Sequence, residues 1–240
     1  MNLRPFLLPV LVASMMPLSR AKAQNDEKLV EVRTIDQVYA SYRDRRGTHG
    51  LLFGVNYENY FPDALISKVD SESYGAMFGD NPIPFMGIEI GYKYNFFLGS
   101  LAALYGYSTG TLTDSRIGEE RSLQINRNSL KLMYVMDRLM AEPYAAPYVA
   151  AGIWDFGIDE KVGGGEGFSG QTKMGNSVTV GLLIQLNWIE QETSRNAYMS
   201  TGLENTYLDL FMTQHSNTSS EEDPTTRSPF DWGAGLRLEF

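Results

Sequence analysis

The sequence has no cysteine and only two histidines among its 240 residues. Without cysteine there is no disulfide framework, so stability has to come from burial and backbone pairing. Two histidines leave few candidates for acid–base catalysis or metal binding. The formal net charge of −9 argues against a nucleic-acid partner. The pattern predicts no cofactor and no metal site.

The chain also lacks a long apolar run after its N-terminus, which excludes a transmembrane helix from the mature protein. The first residues instead resemble a secretory signal. Arg4 is followed by a mostly apolar stretch from Phe6 to Leu18, and Ala21-Lys22-Ala23 fits a small-x-small cleavage site. We therefore expect a signal peptide at residues 1–23.

The rest of the chain divides into two parts. Residues 24–48 are charged and irregular, and they predict a periplasmic segment that forms a plug, a short helix or a tether. Residues 49–240 carry period-two alternation of apolar and polar side chains, which is typical of strands with two different faces. The clearest cases are Met86–Phe96, Val178–Trp188 and Phe230–Phe240, with weaker ones at Leu51–Tyr57, Leu98–Tyr107, Ser129–Met136, Pro147–Trp154 and Ala197–Tyr207.

The predicted connections alternate between long and short. Long segments are expected at Asn59–Ile83, Ser108–Leu123, Asp155–Gly175 and Met212–Pro229, and shorter ones at Asn95–Phe97, Asp137–Ala146 and Ile189–Asn196. Long loops on one rim and short turns on the other are typical of outer-membrane barrels. The sequence therefore predicts an all-β fold: a transmembrane antiparallel up-and-down β-barrel of about eight strands. Both ends of the barrel domain are expected on the periplasmic side.

Two segments carry a resemblance to known families. The ending from Phe230 to Phe240 resembles the C-terminal strand of outer-membrane barrels, and Ala146–Ile153 is similar to a strand of OmpA-like and OmpW-like small barrels. The resemblance implies the outer membrane of a Gram-negative bacterium, with lipid and lipopolysaccharide as surroundings. It also implies that the barrel-assembly machinery reads the last strand as an assembly signal, carried by Trp232, Leu236, Leu238 and Phe240.

Charged residues on the polar faces of the strands are predicted to point into the barrel. The set is Glu58, Glu89, Lys93, Lys131, Glu204, Asp231, Arg237 and Glu239. Such residues either pair with one another to fill a narrow barrel or line a path for small polar solutes. The larger aromatic residues are predicted to form girdles at the two membrane interfaces. They are Tyr57, Tyr60, Tyr105, Tyr107, Trp154, Tyr207 and Trp232.

One enzymatic alternative comes from His215-Ser216-Asn217, which resembles the His-x-Ser-Asn motif of PagL-type lipid A deacylases. Glu221 or Glu222 would then orient the histidine. The sequence departs from that motif because His215 and Ser216 are adjacent, so they would point to opposite faces of a strand. The favoured prediction names no catalytic residue.

The sequence thus predicts a non-enzymatic outer-membrane barrel with external loops that serve envelope integrity, adhesion or contact with a protein partner. The alternatives are a narrow passive channel for small or apolar solutes, as in OmpW-like barrels, and the deacylase.

Overall fold

The computed structural model describes residues 40–114, 120–163 and 165–240. The predicted signal peptide at residues 1–23 and the first part of the predicted periplasmic segment, residues 24–39, lie outside the described residues. In the described part there are nine strands and three helices: α1 Tyr42–Arg45, β1 His49–Tyr60, α2 Tyr74–Phe78, β2 Ile83–Phe96, β3 Gly99–Asp114, β4 Arg121–Val135, β5 Ala145–Val162, β6 Glu166–Gln171, β7 Gly175–Gln185, α3 Gln191–Thr201, β8 Asn205–Thr218 and β9 Ser228–Glu239. None of the helices in these ranges is long and apolar enough to cross a membrane.

The strands close into an antiparallel barrel. Strands that follow one another in the chain pair antiparallel, except β6 and β7, and β9 returns to pair with β1 over Leu52–Glu58. β5 pairs with β7 along its first part and with β6 along its last part, so β6 and β7 together occupy one position of the ring. The barrel therefore has eight strand positions, and the predicted fold class is confirmed, as is the resemblance to small eight-stranded barrels at the level of fold.

The two ends of the barrel differ in the parts of the chain they contain. The lower end holds the start of β1 and the end of β9, together with the connections at residues 97–98, 136–144 and 186–204. The upper end holds the connections at residues 61–82 and 219–227, and β3 meets β4 and β5 meets β6 there. Both ends of the barrel domain lie on the same side, as up-and-down topology with an even number of strand positions requires.

Alternation sorts side chains between the lumen and the outer wall. In a barrel of eight strands the lumen is only wide enough for side chains, so large inward residues need small ones beside them. Gly181 shows this close packing, because a Cβ there would lie 2.4 Å from a ring carbon of Tyr148. A larger residue at Gly181 would therefore force Tyr148 out of its place.

The predicted seventh strand, Ala197–Tyr207, is wrong in position. Residues Gln191–Thr201 form α3, which ends at Gly202 in the left-handed conformation (φ 81°), and the strand begins only at Asn205. The connection between β7 and β8 is consequently long, although the sequence predicted a short link at Ile189–Asn196. Good helix formers such as Gln191, Glu192 and Arg195 favour this helix, whereas the period-two pattern carries no information about it.

Three of the predicted long loops are largely strand. β3 continues to Asp114, β5 to Val162 and β8 to Thr218, so the connections beyond them are shorter than expected. The reason is a change in the outward face: on β8 it passes from Leu210 and Met212 to Gln214 and Ser216. At the end of β8 both faces are polar, so hydrophobic alternation disappears although the backbone ladder continues. On β5 the apolar residues change from the outward face at Ile153 to the inward face at Phe156 and Ile158, which interrupts the pattern.

Candidate functional site

The interior of the barrel holds most of the charged residues singled out in the sequence. Six of the eight lie buried, with at most a twentieth of their surface exposed: Glu58, Glu89, Lys93, Asp231, Arg237 and Glu239. Lys131 is mostly covered as well, with 14% of its side chain exposed. Glu204 lies at the lower rim, just before β8, where it contacts Arg45 at 3.3 Å. Buried charges need partners, and the contacts arrange them in three layers.

The lowest layer closes the lower end, and we call it the basal plug: Tyr42, Arg46, Lys93, Asp137 and Glu239. The helix α1 places Tyr42 in the mouth, where its hydroxyl donates to Glu239 at 2.7 Å and accepts from Lys93 at 2.8 Å. Lys93 also contacts Asp137 at 2.7 Å, and Arg46 contacts Asp137 at 2.7 Å. Residues 40–48, at the end of the predicted periplasmic segment, thus form a plug together with a short helix.

The carboxyl of Asp137 is the centre of this plug. Burial by itself would raise its pKa, but the ammonium of Lys93, the hydroxyl of Ser100 at 2.6 Å and the guanidinium of Arg46 outweigh that effect. Its pKa is therefore held below the usual range. Asp137 stays ionised at neutral pH and ties the turn after β4 to the N-terminal segment.

The middle layer is centred on Arg237. Its guanidinium contacts Asp209 at 2.7 Å and Glu89 at 2.9 Å, and Glu89 also accepts from Lys131 at 2.7 Å. The hydroxyl of Tyr148 donates to the other oxygen of Asp209 at 2.9 Å. The cavity left beside these side chains measures about 10 Å³, which is space for about one water molecule.

The upper layer surrounds His215. Arg127 pairs with Glu58 at 2.5 Å and lies 3.0 Å from Nε2 of His215. On the other side of the ring, Nδ1 lies 3.0 Å from Asp231 and 3.2 Å from the hydroxyl of Ser228. Since the guanidinium can only donate, Nε2 is the acceptor and Nδ1 carries the proton that bonds to Asp231. The histidine is thus held between a cation and an anion.

Glu58, His215 and Asp231 also offer three ligand atoms within 4.8 Å of one another, which is the arrangement of a metal site. Oε1 of Glu58 has no hydrogen-bond partner among the described residues, so its lone pairs could bind a metal ion. The guanidinium of Arg127, however, lies against both Glu58 and His215. A metal cation at this position would have to displace the guanidinium of Arg127. The layer is therefore an ion-pair network in which Arg127 occupies the place of a cation.

Above these layers the lumen is apolar. A cluster that we call the apolar cap joins inward residues of the strands to the connection between β1 and β2. Leu65, Tyr74, Met77 and Phe78 of that connection, three of them in α2, are buried against the barrel wall. Their partners in the wall are Tyr60, Ile83, Phe85, Leu123, Ile125, Trp154, Phe156 and Ile158. The upper end is therefore closed by packed side chains.

A second contact fastens the connection that carries the cap. Arg121, at the upper end of β4, pairs with Asp70 and contacts Glu160 at 3.1 Å. The backbone N–H of Lys68 donates to the same Glu160 at 3.2 Å. The hydrogen bond from Arg121 holds the pKa of Asp70 well below its usual range. Both ends of the barrel thus depend on contacts with segments outside the ring.

The predicted deacylase motif does not assemble. His215 points inward and is buried, whereas Ser216 lies on the outer side, where its hydroxyl donates to the carbonyl of Asn176 at 3.0 Å. Glu221 and Glu222 are exposed in the connection after β8, away from the layer around His215. Because His215 and Ser216 are adjacent in β8, their side chains point to opposite faces of the strand, as expected.

The aromatic prediction is partly wrong. Tyr57, Tyr105, Tyr107 and Trp232 lie on the outer wall, but Tyr60, Trp154 and Tyr207 are buried in the lumen. Of the residues named as an assembly signal, Trp232, Leu236 and Leu238 lie on the outward face of β9, and Phe240 follows directly after the strand. Nothing in the arrangement of that face distinguishes an assembly signal from a lipid-facing strand.

Several interior residues were not found from the sequence, namely Tyr42, Arg121, Arg127, Asp137, Glu160 and Asp209. Arg121 and Arg127 had a usable signal, since they share the inward face of β4 with Lys131 in steps of two residues. Asp209 lies in a strand whose start was predicted too early. Tyr42 and Asp137 lie outside the strands, where alternation gives no information.

Comparisons with known proteins find distant structural similarities and no match in sequence. No protein-family model matches the sequence, and no curated protein matches it. Among solved structures, OprG of Pseudomonas aeruginosa, an outer membrane protein, is similar with a TM-score of 0.48 at 10% identity, over 81% of this chain and 97% of that one.

Two further structures lie in the same range. Neisserial surface protein A gives a TM-score of 0.44 at 10% identity, over 80% of this chain and 96% of that one. Ail, the attachment invasion locus protein of Yersinia pestis, gives a TM-score of 0.42 at 11% identity, over 80% of this chain and 97% of that one. Similarities of this size carry no argument about function.

Proposed function

We propose that this protein is an integral barrel of the Gram-negative outer membrane that conducts no solute and acts through the surface at its upper end. The observation that carries the proposal is the apolar outer wall. Large apolar side chains lie exposed on the outward face at every strand position, for example Met86, Ile88 and Ile90 on β2. A surface of this kind is unstable in water and matches the hydrocarbon region of a bilayer.

The apolar outer wall also has the height that a membrane-spanning barrel requires. From Phe230 to Phe240 there are ten residue steps, which at ~3.4 Å each and a tilt of about 40° span roughly 25 Å along the membrane normal. Aromatic residues, including Phe230 and Trp232, lie within this band. We take its lower limit to lie near the end of β9 and its upper limit near Tyr107 on β3.

The upper limit of the band is sharp on neighbouring strands. Outward residues change from Tyr107 to Thr109 on β3, from Leu130 to Asn128 on β4, and from Ile153 to Asp155 on β5. These positions are adjacent in the ladder, where Tyr107 pairs with Asn128. Above that line β3, β4, β5 and β6 form a sheet with a polar outer face, which supports a water-exposed projection on the upper side.

The non-conducting character follows from the filled lumen. The basal plug, the two charged layers above it and the apolar cap leave no continuous path among the described residues. An ion passing through would have to break ion pairs and then cross packed aromatic rings, both of which are costly. The passive-channel alternative therefore requires a rearrangement of both ends.

The proposal is tested with the refolded chain, residues 24–240, in lipid vesicles and planar bilayers. We expect a heat-modifiable band on a gel, quenching of Trp188 and Trp232 by brominated lipid tails, and no single-channel steps where a general porin gives them. A protein that stays in solution without lipid would overturn the membrane location. Reproducible conductance that changes in Lys93→Ala or Glu89→Ala would overturn the closed lumen and favour the channel.

A further inference from the structure

The strand β6 lies at an open edge of the sheet in the described part of the barrel. Its six residues pair with β5 from Gly157 to Val162, and no described strand pairs with its other side. Below it the ring is closed, because β7 pairs with β8 on that side. The edge therefore opens only above the apolar band, in the projecting sheet.

The backbone groups that face this edge can be identified from the ladder. Thr172 donates its N–H to the carbonyl of Phe156 at 2.8 Å, so this pair is hydrogen-bonded. In an antiparallel ladder such pairs alternate with non-hydrogen-bonded pairs, whose N–H and C=O groups point away from the partner strand. The N–H and C=O groups of Gly167, Ser169 and Gln171 accordingly point away from β5, toward the open side.

A groove runs along this edge. Its cavity of about 180 Å³ lies between β6 and the connections at the upper end, with Phe168 and Ile158 on one side and Glu222, Asp223 and Lys68 on the other. The ammonium of Lys68 is bound to the carbonyl of Glu222 at 2.7 Å. The lining residues include two acidic side chains, Glu222 and Asp223, and one basic one, Lys68, so the groove carries net negative charge.

Open strand edges normally carry protection against pairing, such as lysine, proline or a bulge. β6 has none of these: its sequence Glu-Gly-Phe-Ser-Gly-Gln contains no lysine and no proline. Alternating backbone donors and acceptors at strand spacing are complementary to another extended peptide. A second copy of this chain would bring its own carboxylates against these ones, and like charges on facing groups disfavour that pairing.

We propose that the edge of β6 binds an extended, basic segment of another protein by strand addition. The backbone of Gly167, Ser169 and Gln171 supplies the ladder, Phe168 packs against an apolar side chain, and Glu222 and Asp223 pair with lysine or arginine of the partner. This inference rests on the proposed function, since it places the groove in the medium outside the cell.

The test uses the full mature chain in non-ionic detergent micelles, with a fluorescein-labelled eight-residue peptide of alternating lysine and threonine as the probe. Fluorescence polarisation measures binding, and hydrogen exchange measures protection of the amides of β6. Ser169→Pro removes the central outward N–H, whereas Ser169→Ala keeps it. Loss of one or two ladder bonds, about 1 kcal/mol each, predicts about tenfold weaker binding in Ser169→Pro and little change in Ser169→Ala.

Two peptide controls separate the ladder from simple attraction of charge. A lysine–threonine peptide with alternate backbone nitrogens methylated cannot form the ladder, and a glutamate–threonine peptide has the wrong sign. We expect weaker binding of both. We expect Ser169→Pro to keep the gel-mobility shift of a closed barrel, because β6 lies above the part of the ring that β7 and β8 close.

The inference is overturned if no peptide binds, if Ser169→Pro binds as tightly as the wild type, or if the methylated or acidic peptide binds equally well. Self-association of the protein that Ser169→Pro abolishes would also overturn it, because a second copy would then be the occupant. These outcomes are independent of the bilayer measurements. A protein that inserts and stays closed but binds no peptide contradicts the edge site alone.

Discussion

The two ends of this barrel are closed by opposite chemistry. At the lower end the basal plug joins Tyr42 and Arg46 to Lys93, Asp137 and Glu239 through short polar contacts. At the upper end the apolar cap packs α2 onto aromatic rings of the wall. The plug depends on the geometry and charge of a few atoms, whereas the cap depends on buried area and fit. The two ends should therefore fail under different perturbations.

The difference also bears on function. Packing energy is spread over many contacts and is indifferent to pH, so the cap gives a permanent closure on the proposed outer side. A buried ion-pair network holds only while each member keeps its charge and partner. Protonation therefore acts directly on the plug, whereas at the upper end it acts only on the pairs of Arg121 with Asp70 and Glu160. A change in side-chain volume acts mainly on the cap.

The largest expected effect is on the cap, from Phe78→Ala. Phe78 is fully buried, and removing an aromatic ring from such a site costs about 3–5 kcal/mol. The connection at residues 61–82 should then detach while the ring stays closed. Emission of Trp154, measured after Trp188 and Trp232 are replaced by phenylalanine, should shift to the red because water reaches its site.

The matched control is Phe97→Ala, the same change at a position with 73% exposure at the lower end. It should leave the emission of Trp154 where it was. An unchanged spectrum in Phe78→Ala would mean that the connection is held by the contacts of Arg121 with Asp70 and Glu160, and that packing contributes little.

The plug is tested next, with Asp137→Ala. The change leaves Arg46 without its carboxylate and removes one of two from Lys93, and breaking a buried pair typically costs about 3 kcal/mol or somewhat more. Urea unfolding from vesicles measures the loss of free energy. Asp44→Ala serves as the control, because Asp44 makes an exposed pair with Arg43 at 3.9 Å, and such pairs contribute at most about 1 kcal/mol. A loss below that value in Asp137→Ala would show that Lys93 and Glu239 suffice.

Acid should act on the plug before the cap. Because the pKa of Asp137 is lower in the folded protein than in the unfolded chain, its contribution to stability is present above about pH 4 and is lost as the pH falls through the lowered value. The absence of cysteine allows two single-cysteine labels. Spin-labelled Ala40→Cys should gain mobility below pH 4, while the label at Ala76→Cys on α2 reports any effect on the cap. Equal loosening at both sites would contradict the contrast.

Whether an interior residue could be predicted from the sequence depends on its position in the barrel. Inside the apolar band, each step of two residues returns to the same face, so Glu89, Lys93 and Arg237 could be assigned to the interior from alternation. Above the band the outward face is polar, and on β8 the inward face is polar as well, so the sequence predicts a loop where β8 continues to His215. The plug joins residues far apart in the chain, such as Tyr42 and Glu239, and no local pattern records a contact of that kind.

The smallest expected effect concerns Glu204, which the sequence assigned to the interior and which lies at the rim of the plug. In Glu204→Gln the pair with Arg45 is lost, but both side chains are about an eighth exposed, so water can replace part of the contact. Arg45 also keeps its bond to the backbone carbonyl of residue 204 at 3.2 Å and its position over the ring of Tyr198. We expect a loss within about 1 kcal/mol in the same urea experiment. A loss as large as that of Asp137→Ala would mean that the plug extends to the rim, and that the number of charged pairs, more than their burial, determines how firmly the lower end is closed.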